Sequence, residues 1–222
     1  MTSTSLTVDN NGLIGGQPYQ VSPNQTTTYT LISVTDSYGC TQNLNENEIL
    51  GVNELPAVNI TGNTEICFED VASIYFNFTA GSPDWELAYD INGISQTPFS
   101  LSNSLDYMLV SPTTTSTYTF TSLTDDNLCV STFTDDITIT VHSLPEVMIK
   151  GGGEICADST VDVIFEITNG TPTYDIEYTV GISDKIVSNV GYQYVITTNE
   201  AGSYIINSVT DNKGCVAKVI NG

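Results

Sequence analysis

The sequence has no arginine and only four lysines, Lys150, Lys185, Lys213 and Lys218, against 26 acidic residues. Its formal net charge is −22. Nucleic acid and anionic membrane surfaces need cationic side chains to neutralise phosphate, so this balance argues against both as partners. Histidine occurs once, at His142, and no GxSxG, HExxH, P-loop or dinucleotide fingerprint is present. A catalytic triad therefore lacks its base, and we expect no enzymatic activity. No apolar run reaches the ~18 residues that a spanning helix needs. The segment Met1–Leu6 has neither a basic region nor an apolar one, so it does not read as a signal peptide. No CxxC pair occurs, which removes the usual zinc and redox spacings.

What is present is β composition. Val, Ile, Tyr and Phe supply much of the 40% hydrophobic fraction, and Thr and Ser fill the positions between them. The chain also repeats itself. Thr28-Tyr29 followed by Asp36-Ser37-Tyr38-Gly39-Cys40 returns as Thr117-Tyr118 followed by Asp125-Asp126-Asn127-Leu128-Cys129. It returns again as Ser203-Tyr204 followed by Asp211-Asn212-Lys213-Gly214-Cys215. Glu65-Ile66-Cys67 returns as Glu154-Ile155-Cys156, and Gly81-Ser82-Pro83 as Gly170-Thr171-Pro172. The offset is 89 residues (129 − 40; 156 − 67), falling to 86 late in the third copy (215 − 129). We therefore expect an all-β chain of tandem immunoglobulin-like β-sandwich repeats of about 89 residues in an extended array. Its divisions are 1–56, a partial repeat missing its front strands; 57–145, a complete repeat; and 146–222, a repeat truncated in its last strand. Both ends fall inside a repeat, so the chain reads as a window on a longer array.

Within the complete repeat, strands are expected at 71–79, 84–91, 94–100, 105–111, 116–124 and 132–141. Ile74, Phe76 and Phe78 alternate with Tyr75, Asn77 and Thr79, and the third repeat shows the same inward face as Val163, Phe165 and Ile167. Asn92-Gly93 signals a two-residue hairpin. Trp85 and Tyr174 read as core aromatics, with an exposed sugar-stacking role as the alternative. Tyr29, Tyr118 and Tyr204 resemble a tyrosine corner. Linkers are expected near 53–58 and 142–147, the latter containing His142.

Five cysteines leave two pairings open. Cys67–Cys129 and Cys156–Cys215 would staple each repeat internally, leaving Cys40 unpaired by truncation; this is the pairing we expect. Cys40–Cys67 and Cys129–Cys156, each 27 residues apart (67 − 40; 156 − 129), would instead join neighbours and leave Cys215 free. Either implies an oxidising compartment. Asp36, Asp125 and Asp211 read as turn caps, with a calcium-ligand role as the alternative; no EF-hand loop is present, and no cofactor other than that calcium is considered.

Ile-Cys near the start of each repeat, Gly-x-Pro before the aromatic, the Tyr…Asp…Cys phrase near the end and the linkers Leu55-Pro56 and Leu144-Pro145 together resemble repeats of the giant gliding adhesins of Bacteroidota, the SprB type, exported by type IX secretion. The resemblance covers essentially the whole chain. It implies an extracellular, cell-surface filament that grips the substratum. Its partners would be further copies of the same repeat, with surface polysaccharide or other motility proteins beyond them. It also makes Asp158-Ser159-Thr160 a candidate O-glycosylation site at Ser159. The alternative function is a carbohydrate-binding or accessory β module of a large secreted enzyme, which would show exposed aromatics on one repeat that the others lack.

Overall fold

A computed structural model describes residues 20–62 and 64–218, and the backbone of 220–221. The described residues form strands and turns without a helix. The all-β class follows from the alternating pattern. In the strand Ala72–Ala80, Ala72, Ile74, Phe76 and Phe78 are buried while Tyr75, Asn77 and Thr79 are exposed. A period of two puts every second side chain on one face of a sheet, and burial of that face is what stabilises it.

The chain begins with a hairpin, β1 (Thr27–Thr35) and β2 (Thr41–Leu50), paired antiparallel. Next come β3 (Ala57–Gly62), β4 (Glu65–Cys67), β5 (Ala72–Ala80), β6 (Trp85–Ile91), β7 (Ile94–Ser95), β8 (Phe99–Leu101), β9 (Leu105–Val110), β10 (Ser116–Thr124) and β11 (Val130–His142). These form two sheets. One has the order β3-β5-β9; the other runs β4-β11-β10-β6-β7, with β8 also on β6. One apolar core draws on both: Ile60, Ile74, Phe76 and Met108 from the first, Trp85, Leu87, Phe120, Leu123 and Ile139 from the second. Two sheets closing on one core make a β-sandwich-like body. Asn92 and Gly93 both take positive φ, 51° and 77°, and turn the chain between the paired residues Ile91 and Ile94. That is the hairpin expected from the dipeptide.

The remaining strands are β12 (Glu146–Gly151), β13 (Val161–Thr168), β14 (Tyr174–Val180), β15 (Ser183–Val190), β16 (Gln193–Thr198), β17 (Tyr204–Asp211) and β18 (Ile220–Asn221). They form a sheet ordered β16-β13-β12-β18 and another ordered β15-β14-β17. A second, separate core lies between them, built on Val147, Phe165, Ile167, Tyr174, Ile176 and Val209. The order β12-β13-β16 matches β3-β5-β9. The segment 220–221 pairs with β12 in parallel, Val147 against Ile220.

The hairpin β1–β2 carries the same irregularity as β10–β11. Register shifts between Leu31 and Ser33 in one and between Phe120 and Ser122 in the other, 89 residues apart (120 − 31; 122 − 33). Its apolar side chains are not covered by described residues. Leu31 is 50% exposed, whereas its counterpart Phe120 is 0% exposed. The strands expected within 57–145 lie within a few residues of those observed, but β3 and β4 were not expected. His142 is a correction: it ends strand β11 instead of lying in a linker, because the parallel pairing His142↔Cys67 carries the strand that far.

Candidate functional site

The three Tyr…Asp…Cys phrases fold into one and the same turn. The Asp carboxylate Oδ1 accepts from the backbone N–H of the cysteine four residues on, at 2.9 Å for Asp36–Cys40, Asp125–Cys129 and Asp211–Cys215. The Asp N–H donates back to that cysteine's carbonyl in each case, at 3.0, 3.1 and 3.0 Å. Short polar side chains that bond their own backbone favour such turns over continued strand. The second carboxylate oxygen of Asp125 accepts from Ser82 N–H at 3.0 Å, and that of Asp211 from Thr171 N–H at 2.8 Å. Backbone donation, first of all from Ser82, holds the Asp125 carboxyl below its usual range. These bonds make the aspartates turn caps. Among the described residues no group of three or more His, Cys, Asp or Glu side chains could hold a metal ion.

Each of the later two turns sits beside the proline that enters its own unit. A Cβ on Gly81 would meet Pro56 at 2.7 Å and Asp125 at 3.2 Å; one on Gly170 would meet Pro145 and Asp211, both at 3.1 Å. Ser131 Oγ donates to the Pro56 carbonyl at 2.7 Å. The Asp-turn cysteine therefore lies at the end of its unit where the chain comes in.

The Glu-Ile-Cys cysteines lie at the opposite end. Cys67 ends β4, which pairs in parallel with the last residues of β11. Asp70 N–H closes a turn onto the Cys67 carbonyl at 3.0 Å, and Ser159 N–H does the same onto Cys156 at 3.1 Å, 89 residues later (159 − 70). Glu69 and Asp158 hold matching positive φ values of 72° and 64° in those turns.

This placement corrects the expected disulfides. Cys67 is bonded to Cys215, with Cα atoms 5.5 Å apart and a sequence separation of 148. Cys129, Cys156 and Cys40 are free thiols. The expected Cys67–Cys129 bond fails on distance. Cys129 adjoins the start of β11 at Val130, and Cys67 pairs with its end at His142. Twelve strand residues span roughly 40 Å, and a disulfide needs Cα atoms within ~7 Å. Cys156–Cys215 fails because Cys215 is already bonded to Cys67.

Charged side chains surround the bond. Glu65 accepts from Lys213 Nζ at 2.7 Å, and His142 Nε2 lies 3.0 Å from the same carboxylate oxygen. The Lys213 hydrogen bond, with that of His142 after it, holds the Glu65 carboxyl below its ordinary value. Lys218 pairs with Glu69. Phe68, Val141, Leu144 and Pro145 line an open groove beside these pairs. The site is thus a junction: a covalent bond and two ion pairs, Glu65–Lys213 and Glu69–Lys218, reach from the end of one core to the start of the next, while His142 braces Glu65 from its own unit. Sequence reasoning missed Glu65 and Lys213. They are 148 residues apart like the bonded cysteines (213 − 65; 215 − 67), a match that only the disulfide reveals.

The aromatic residues sort differently. Trp85 is buried and stacks on Phe78, with ring centroids 4.2 Å apart, and Tyr174 is fully buried with its hydroxyl donating to the Asn169 carbonyl at 2.7 Å. Tyr204 donates to the Glu200 carbonyl, four residues upstream, at 3.3 Å, the bond of a tyrosine corner. An exposed pair, Tyr75 and Tyr107, escaped the sequence reading. They face each other across β5 and β9 with centroids 6.2 Å apart, and Ile164 occupies the place of Tyr75 in the third repeat. Ser159 is exposed.

No family model matches the chain. Among curated proteins it is similar to Nucleoporin POM152 of Saccharomyces cerevisiae, at 26% identity over 222 aligned positions. That similarity covers 85% of this chain but spans only 16% of the nucleoporin's length.

Proposed function

We propose that the chain is a segment of tandem immunoglobulin-like repeats whose work is mechanical: it carries tension along a long cell-surface adhesin. The observation that supports this most is the bond between Cys67 and Cys215, which joins one core to the next. A hinge between independent binding modules has no need of a covalent tie. A stalk gains from one, because each unit touches only its neighbours and the weakest junction sets the strength of the whole. The net charge of −22 suits a solvated filament. The resemblance of the repeat phrases to gliding adhesins supplies the surface location, type IX export and gliding role. O-glycosylation at exposed Ser159 belongs to the same reading.

Two observations favour other readings. The likeness to a protein named as a nucleoporin supports a structural segment of a pore-associated protein. The Tyr75–Tyr107 pair supports carbohydrate stacking, in which aromatic faces hold sugar rings. One experiment separates the first two. Antibodies against residues 57–145 should bind intact, unpermeabilised cells, and deletion should abolish surface attachment. Labelling only after permeabilisation would overturn the adhesin reading. Polysaccharide titration of the Tyr75→Ala, Tyr107→Ala double variant tests the third.

A further inference from the structure

The five cysteines fall into two geometrical classes, and the one disulfide takes a member from each. Cys40, Cys129 and Cys215 share the Asp-turn, with the same Asp Oδ1 bond at 2.9 Å. Cys67 and Cys156 share the Glu-Ile-Cys turn, closed by Asp70 and Ser159. Cys129 and Cys215 sit where the chain enters a unit, beside Pro56 and Pro145, and Cys67 sits where it leaves one. The bonded pair joins the leaving end of one unit to the entering end of the next.

We infer that Cys129 and Cys156 are link cysteines of a continuous disulfide ladder, in which the Glu-Ile-Cys cysteine of every repeat bonds the Asp-turn cysteine of the repeat that follows. The partner class is thus another copy of this repeat, joined through a thiol at a defined position. Cys129 takes the Glu-Ile-Cys thiol of a preceding repeat, and Cys156 the Asp-turn thiol of a following one. This rests on the tandem-repeat reading above. In this pattern the counterpart of Cys129 is the equivalent of Cys67 one repeat earlier, 89 positions before it. Cys129 and Cys156 are both at least partly accessible, as bond formation requires.

Each rung forms by thiol–disulfide exchange with a disulfide donor, either oxidised glutathione or a disulfide-bonded oxidoreductase. One protein thiolate attacks the donor to give a mixed disulfide and releases one donor thiolate. The second protein thiolate then displaces the other donor sulfur. Two protein thiols are oxidised, the donor is reduced to two thiols, and the protons pass to solvent or the departing thiolates. The ionic contacts do not recur in the same way. Asn127 stands where Lys213 stands one repeat later, so the junction before residue 57 has a thiol in place but not that cation.

The test keeps the full chain and inserts a second copy of residues 57–145 between Pro145 and Glu146, with folding in a glutathione redox buffer. The ladder predicts bonds from Cys67 of the first copy to Cys129 of the inserted copy, and from Cys67 of the inserted copy to Cys215. Three thiols should then remain free, the same number as in the parent chain, because the insertion adds two cysteines and one bond. In the insertion chain, changing Cys129→Ser in the inserted copy should expose the first Cys67 to maleimide and leave the Cys215 bond intact. A Cys215 bond with the inserted Cys129 still free overturns the ladder alone. Failure of the inserted copy to bond Cys215 overturns the tandem-repeat reading, and the ladder with it.

Discussion

Lys213 and Glu65 form an ion pair at 2.7 Å across 148 residues of sequence, the same separation that divides Cys67 from Cys215. Two residues, 65 and 67, on one edge thus face two, 213 and 215, on the other in matching order. The contacts around Glu65 depress its pKa from an ordinary value near 4.5. A depressed carboxylate adds stability that is present above its ordinary value and is lost as pH falls through the folded value. With the covalent tie removed by Cys67→Ser, small-angle scattering should show the junction loosening as pH drops below about 4.5. Glu65→Gln in that background should show the loosened profile already at pH 7. An unchanged profile in both cases would remove Glu65 from the junction.

Phe120 and Leu31 occupy equivalent places with opposite burial, 0% and 50% exposed. Phe120→Ala should cost about 3–5 kcal/mol, as a large core side chain does when a cavity is left. Leu31→Ala should cost under ~1 kcal/mol in this chain. Urea unfolding followed at Trp85 reports the first directly, since Trp85 lies in the same core as Phe120.

Gly81 holds φ at +90°, and a Cβ there would meet Pro56 at 2.7 Å. Gly81→Ala both strains the backbone and collides with the linker proline, so it should destabilise the unit by about 1–3 kcal/mol. Gly170→Ala meets Pro145 in the equivalent place and should act in the same direction. Thermal unfolding of each variant checks this; a melting point within error of the parent would contradict it.

Asp125 caps the turn that presents Cys129 and also accepts from Ser82 across the unit. Its carboxyl is held low, so its contribution is complete above its ordinary value near 3.8 and vanishes as pH falls through the lower folded value. Asp125→Ala should lower the melting temperature at pH 7 and flatten the loss of stability seen on acidification. A variant that melts like the parent at pH 7 would show that the cap is dispensable.

The strand pattern was legible because burial in a two-sheet body imposes a period of two, as along Ile74, Phe76 and Phe78. The Asn92-Gly93 hairpin was legible because few dipeptides tolerate two positive φ angles. The disulfide was not, because the repeat spacing shows which cysteines are equivalent but not which end of a sandwich each occupies. That depends on β4 lying parallel to the far end of β11, a three-residue strand too short to leave a pattern. Glu65, Lys213 and the Tyr75–Tyr107 pair were hidden for a related reason: each is defined by what lies opposite it in space.

In the proposed stalk, tension passes between units through the Cys67–Cys215 bond. Single-molecule pulling on the chain from both ends, with and without reductant, measures this most directly. While the bond holds, the 148-residue span between the cysteines is shielded from extension. At ~3.5 Å per residue, reduction should add roughly 500 Å of contour length. A gain of only about 200 Å, as a bond closed within one unit would give, or no gain at all, would contradict the account.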